Sequence, residues 1–246
     1  MMQRFFQKIT PSEPIHAKTL GVLLVSAVSL MVLNYGQQNA VYRLVEPFLN
    51  GLFPFLDSGL QRLLWWAFLC FFCYFLLPVF FLLAIGERNL GLYGLGTQGM
   101  LQKGRPYMVL LLPMLPLVFL FSFLPSFQLT YPFWRVDSTH ALWPGLLIWE
   151  LAYALQFFSL EFFFRGFMVH GSRGSLGWYS VPVMMVPYLM IHFSKPFPEA
   201  FGSLIAGWVL GMLSFHSRSI WWGAVLHIAV AWSMDLLSLW HRGLLG

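Results

Sequence analysis

The sequence predicts an all-α protein, a polytopic transmembrane bundle of about seven spans plus one interfacial helix. Three observations carry this. Of 246 residues, 59% are hydrophobic and only 9% charged, against roughly 25% charged in a soluble domain. The apolar residues form runs close to the ~20 needed to cross a hydrocarbon core about 30 Å thick. The polar residues that remain fall mostly into short stretches between those runs.

The first span is expected at 19–35. The polar stretch before it includes Arg4, Lys8 and Pro11 and has no small-residue cleavage site, so this span reads as retained rather than as a signal peptide. Residues 37–61 carry Arg43, Glu46 and Asp57 among large apolar side chains. They are too polar to span and too apolar for a bare loop, which fits an amphipathic helix in the interface. The second span, 63–85, holds Cys70 and Cys73, expected to pack or face lipid rather than bind metal. Residues 87–105 read as an aqueous loop, carrying Gly91, Gly94, Gly96 and Gly99 and three basic residues. No strand precedes those glycines, so they read as turn glycines and not as a phosphate-binding loop.

Further spans are expected at 107–123, 142–169, 177–193, 201–215 and 220–240. The fourth is long enough to tilt, and Pro182 and Pro187 interrupt the fifth. Ser203, Gly207 and Gly211 form a small-residue seam on the sixth, expected to serve helix packing. The chain reads as one domain, 1–246, without internal repeats. A cytoplasmic N-terminus would put eight basic residues inside, among them Lys18, Lys103, Arg173 and Arg218, against five outside. The net charge of +5 is spread over loops, which argues for the lipid bilayer as a partner and against nucleic acid.

Against this background a few ionisable residues stand out, because a charge at membrane depth is expensive and marks function by default. Glu161 and Arg165 lie four residues apart in Leu160-Glu161-Phe162-Phe163-Phe164-Arg165-Gly166, on one helix face. Arg165 can balance the carboxylate and fix its rotamer; an ion pair that only supports packing is the rival reading. His192 follows the proline-interrupted segment, four residues after Tyr188, and His227 lies within the last span. A carboxylate and an imidazole that share a water can deprotonate it for attack on a carbonyl, and a second imidazole can donate to the oxyanion. Glu150 is three turns from Glu161, too far to share a proton, and is expected to line the cavity or the far surface. Asp235, eight residues after His227, is expected to line the cavity, lie at the aqueous end of its helix or orient His227. His140, His170, His216 and His241 fall near span ends, and Arg173 and Arg218 read as loop charges.

The order Glu-x-x-x-Arg-Gly, aromatic-x-x-x-His and a His on the final span resembles the CPBP (Abi) family of intramembrane proteases, which includes the CAAX prenyl endopeptidases. The resemblance covers 142–239. It implies a glutamic-type membrane endopeptidase that cleaves membrane-tethered proteins near the bilayer boundary. Carried over residue by residue, Glu161 with His192 would activate water, His227 would stabilise the oxyanion, and Arg165 would hold Glu161. Three positions depart from the family pattern: Leu160 stands where a first glutamate is usual, Tyr188 where Phe is common, and Ala231 where Asn or Asp follows the histidine. The reading implies no cofactor, no metal, a membrane-anchored protein or peptide partner, and residence in a bacterial cytoplasmic membrane. A zinc site of one Glu and two His is a minor branch, made less comfortable by Arg165. A non-catalytic scaffold built on the protease frame, motivated by Leu160 and Ala231, and a small transporter are the two other classes that stay open.

Overall fold

The computed structural model describes residues 15–136 and 142–245. The expected position of His140 therefore lies outside the described residues. Every regular element among those described is helical. α1 is Ala17–Gly36, α2 is Asn39–Leu52, and α3 is Ser58–Ala84, with a π turn at Phe72–Leu76. α4 is Arg105–Phe121 and α5 the short Pro125–Thr130. α6 starts at Gly145–Glu161 and runs on through a π turn at Phe162–Met168 and Val169–Leu176. α7 is Ser180–Met190, α8 Phe197–Ser217 and α9 Trp221–His241.

Among the described residues five helical stretches are long and apolar enough to cross a membrane. The count differs from seven for two reasons. α4 has only 17 residues, and the expected fourth and fifth spans are one helical stretch, Gly145–Met190. The latter bends at Gly177, whose φ of +53° is a conformation that L side chains rarely adopt. The protein is an integral membrane protein.

α6 is the axis of the fold. Every residue from Ser159 to Ser172 is buried, as expected of a helix that is apolar all round. Phe162, Phe163, Phe164 and Phe167 pack with Tyr74, Cys70 and Cys73 of α3 and with Tyr188 of α7. The two thiols are free and serve packing. Leu160 lies in this same apolar core, whereas Ala231 packs in a second one with Trp149 and Tyr153. The seam on α8 brings α7 close: a Cβ on Gly211 would meet Val181 at 2.7 Å, and one on Gly207 would meet the Tyr188 ring at 3.1 Å.

α2 buries Tyr42 and exposes Leu44, Phe48 and Leu52 at four-residue intervals, an unburied apolar stripe of the kind an interfacial helix turns to lipid. The stretch 87–105 is more ordered than an aqueous loop. Tyr93 is buried, and Trp221 and Trp222 donate their indole N–H groups to the carbonyls of Leu95 and Met100. The backbone N–H of Ile220 donates to Gly94 O. Aromatic anchors on α9 thus fasten the loop across one end of the bundle. The basic residues sort by end: Lys18, Lys103, Arg173 and Arg218 gather around this loop, while Lys195 and Arg242 meet Tyr131 at the opposite end.

Candidate active site

The site begins with the wide turn of α6. Glu161 is the last residue before the π turn and Arg165 lies within it; both are almost fully buried. Arg165 Nη1 sits 3.1 Å from Glu161 Oε1. Single π turns inside α-helices recur at functional sites, and this one is not legible from the phenylalanine run. Its backbone is covered by the loop: a Cβ on Gly166 would come within 2.6 Å of Tyr93 O. Only glycine allows that approach.

α9 supplies the facing wall. Its His227 Nδ1 lies 2.7 Å from Glu161 Oε1, so one carboxylate oxygen faces both the guanidinium and the imidazole. One turn earlier on α9, Gly223 makes room for the carboxylate; a Cβ there would stand 2.3 Å from Glu161 Oε2. Gly223 is a site residue that the motif order does not reveal. Its signal is its spacing, four residues before His227 on the same face. The imidazole stacks on Phe157 of α6, with ring centroids 5.5 Å apart and planes within 6°.

α7 closes the site from the third side. Tyr188 is buried, with its hydroxyl 3.1 Å from His227 Nε2 and the Arg165 guanidinium carbon 3.9 Å from its ring centroid. The close Nδ1–Glu161 contact is not aligned as a hydrogen bond among the described residues; a proton on Nδ1 would leave Nε2 to accept from the Tyr188 O–H. None of the three guanidinium nitrogens of Arg165 has a well-aligned hydrogen-bond acceptor among the described residues. Arg165 is held by charge and by the Tyr188 ring.

His192 is held by Tyr188 and has no direct bond to Glu161 among the described residues. It lies just past the end of α7, where its Nδ1–H donates to Tyr188 O at 2.8 Å and its ring packs on the Tyr188 ring. Burial lowers its pKa to about 4. It is therefore neutral at physiological pH, with Nε2 as a free lone pair. No hydrogen bond or ion pair joins it to Glu161 among the described residues. The sequence pairs the two across a water; the direct contact of the carboxylate is with His227, because Gly223 and His227 share the α9 face that meets α6. A depressed histidine pKa means that the folded state binds fewer protons than the unfolded chain between pH 6.5 and 4. Stability from this group is present above about pH 6.5 and is lost as pH falls towards 4. Thermal unfolding across that window should show a decline that His192→Gln flattens.

The remaining acids are elsewhere. Asp235 is fully buried and accepts from Trp149 Nε1 at 2.8 Å, so it does not orient His227; Glu161 occupies that place. Both carboxylate oxygens of Glu150 are buried without a hydrogen-bond partner among the described residues. His170 is also buried, against Ser214 Oγ at 3.2 Å, and His241 meets Ser122 Oγ at 2.8 Å. Among the described residues no group of three or more His, Cys, Asp or Glu side chains is arranged to hold a metal ion.

Searches of curated proteins and of solved structures return no match. A family comparison does: residues 140–233 match the model described as "Type II CAAX prenyl endopeptidase Rce1-like". That stretch runs from the start of α6 into α9 and includes Glu161, Arg165, Tyr188, His192, Gly223 and His227. Over these residues the chain is similar to the Rce1-like CAAX proteases of the CPBP family.

Proposed function

We propose that the protein is an intramembrane endopeptidase that cleaves membrane-tethered proteins near the bilayer boundary, in a bacterial cytoplasmic membrane. The observation that carries the mechanism is the 2.7 Å contact between Glu161 Oε1 and His227 Nδ1 across two helices. A buried carboxylate on one imidazole nitrogen fixes the tautomer and stabilises the imidazolium that forms when the other nitrogen takes a proton. Glu161 and His227 would thus act as one base.

In this mechanism a water displaces the Tyr188 hydroxyl at His227 Nε2. His227 takes one of its protons as the water oxygen bonds to the substrate carbonyl carbon, and the carbonyl electron pair moves onto oxygen. The oxyanion is met by the Tyr188 O–H and by the N–H groups of Arg165, donors suited to developing negative charge in a dry site. His192 Nε2 accepts the water's other hydrogen and orients it. When the intermediate collapses the C–N bond breaks, and His227 returns the proton to the leaving amine. This reading moves proton abstraction to His227 and the oxyanion to Tyr188 and Arg165, leaves His192 to orient the water, and needs neither a carboxylate at Leu160 nor an amide at Ala231.

The family description makes prenylated CAAX peptides the first substrates to assay, in liposomes containing the purified protein. His227→Ala should lower turnover by about 10²–10⁴-fold, the usual weight of general acid–base catalysis. Full activity in His227→Ala would overturn the mechanism. Tyr188→Phe, which restores the family's common residue, removes one donor worth about 1.5–3 kcal/mol, or roughly ten- to a hundredfold in kcat, with KM little changed.

A second reading is favoured by one observation: Leu160 and Ala231 are both absorbed into apolar packing. The pocket would then serve binding or architecture in a non-catalytic scaffold. Glu161-dependent cleavage of any co-expressed substrate would exclude it.

A further inference from the structure

The end of the bundle beneath the 87–105 loop carries a basic groove that peptide hydrolysis does not use. One part, about 530 Å³, is lined by Lys103, His216 and Arg218 with Asn89 and Thr97. The second, about 410 Å³, is lined by Lys18, His170 and Arg173, and the two parts meet at Arg218 and Leu92. No acidic side chain lines either part among the described residues. Glu87 pairs with Lys18 at 2.6 Å.

The arginines are set rather than loose. Arg173 donates from Nη1 to Phe215 O at 2.8 Å and stacks on the Phe215 ring at 4.0 Å, leaving its other N–H groups for a ligand. Arg218 ends α8 with φ +52°, the only positive φ outside glycine among the described residues. Glycine or asparagine is the usual residue at such a helix end. An arginine held there close to a second arginine, with no carboxylate between them, is an arrangement that an anion relieves.

We propose that this groove binds a phosphate group through Lys103, Arg173 and Arg218, and that in a bilayer the group belongs to the head of an anionic lipid. Guanidinium forks match phosphate oxygens bidentately, and basic pockets between transmembrane helices hold anionic head groups. The position favours a lipid source. The groove lies where α1 starts, α8 ends and α9 begins, beside the half-buried Trp221 and Trp222, at the level where tryptophans mark the membrane interface.

The test is thermal unfolding of the full-length protein in detergent, titrated separately with short-chain phosphatidylglycerol, short-chain phosphatidylcholine and inorganic phosphate. Phosphatidylglycerol should raise the Tm of the wild type, and phosphatidylcholine should not. Arg218→Gly is the decisive variant, because glycine suits φ +52° and its lipid-free Tm should not fall. Combined with Lys103→Gln it should raise the half-saturating phosphatidylglycerol concentration at least tenfold. Inorganic phosphate that shifts the Tm at similar concentrations, with the same loss in the double variant, would keep the phosphate site and assign it a soluble source. An unchanged half-saturation in the double variant would overturn the proposal. So would an equal response to phosphatidylcholine, or displacement of phosphatidylglycerol by a peptide C-terminal carboxylate but not by phosphate.

Discussion

Glu161→Gln should abolish peptide cleavage, with kcat lowered by about 10³–10⁴-fold. The amide keeps the size of the side chain but carries no charge. It no longer stabilises an imidazolium at His227, and it leaves Arg165 buried opposite a neutral group. An analogous carboxylate-to-amide change beside a catalytic histidine in another enzyme family costs about 10⁴ in kcat with the geometry intact. Breaking a buried ion pair also costs stability, about 3–5 kcal/mol when one charge is left uncompensated. The assay therefore needs a folding control, such as unchanged size-exclusion behaviour in detergent. A variant that is folded and inactive is the expected result; one that is folded and fully active would remove Glu161 from the chemistry.

Gly223→Ala should be nearly as damaging, although it adds a single methyl group to a helix where alanine is the better former. That methyl would stand 2.3 Å from Glu161 Oε2 and 3.0 Å from its carboxyl carbon, so the carboxylate has to move or the two helices have to part. Overpacking of this kind costs about 1–3 kcal/mol, and a displacement near 1 Å at the reacting groups can itself cost about 10²-fold in rate. The expected outcome is loss of kcat by a hundredfold or more with only a modest fall in Tm. Gly202→Ala provides the contrast, since nothing lies within 4 Å of a Cβ at that position of α8. Equal activity in Gly223→Ala and wild type would show that Glu161 does not need this wall.

The burial of Glu161 and Arg165 was legible because the run of apolar residues around them leaves neither side chain an aqueous face to turn to, and their i,i+4 spacing led directly to the ion pair. The order of motifs pointed to the same family that the family comparison matches over residues 140–233. The partner of Glu161 was not legible. It depends on the rotation of α9 against α6, which is set by Gly223 and by the π turn after Glu161. A π turn arises from packing on α3 and α7 and has no simple residue signature. Nor did the glycines at 91, 94, 96 and 99 reveal that their loop is pinned by Trp221 and Trp222, because those contacts span more than 120 residues. The span count differs from seven because α4 is short and because Gly177 bends a helical stretch that continues on both sides of it.

The claim most exposed to test is that Glu161 and His227 form a single base. Turnover of a prenylated peptide by Glu161→Gln, His227→Gln and the double variant, each checked for folding, measures it directly. Residues that act as a unit are strongly non-additive. The account predicts that the double variant is no slower than the slower single variant, within about threefold. Losses that multiply, or a Glu161→Gln variant as fast as the wild type, would contradict it.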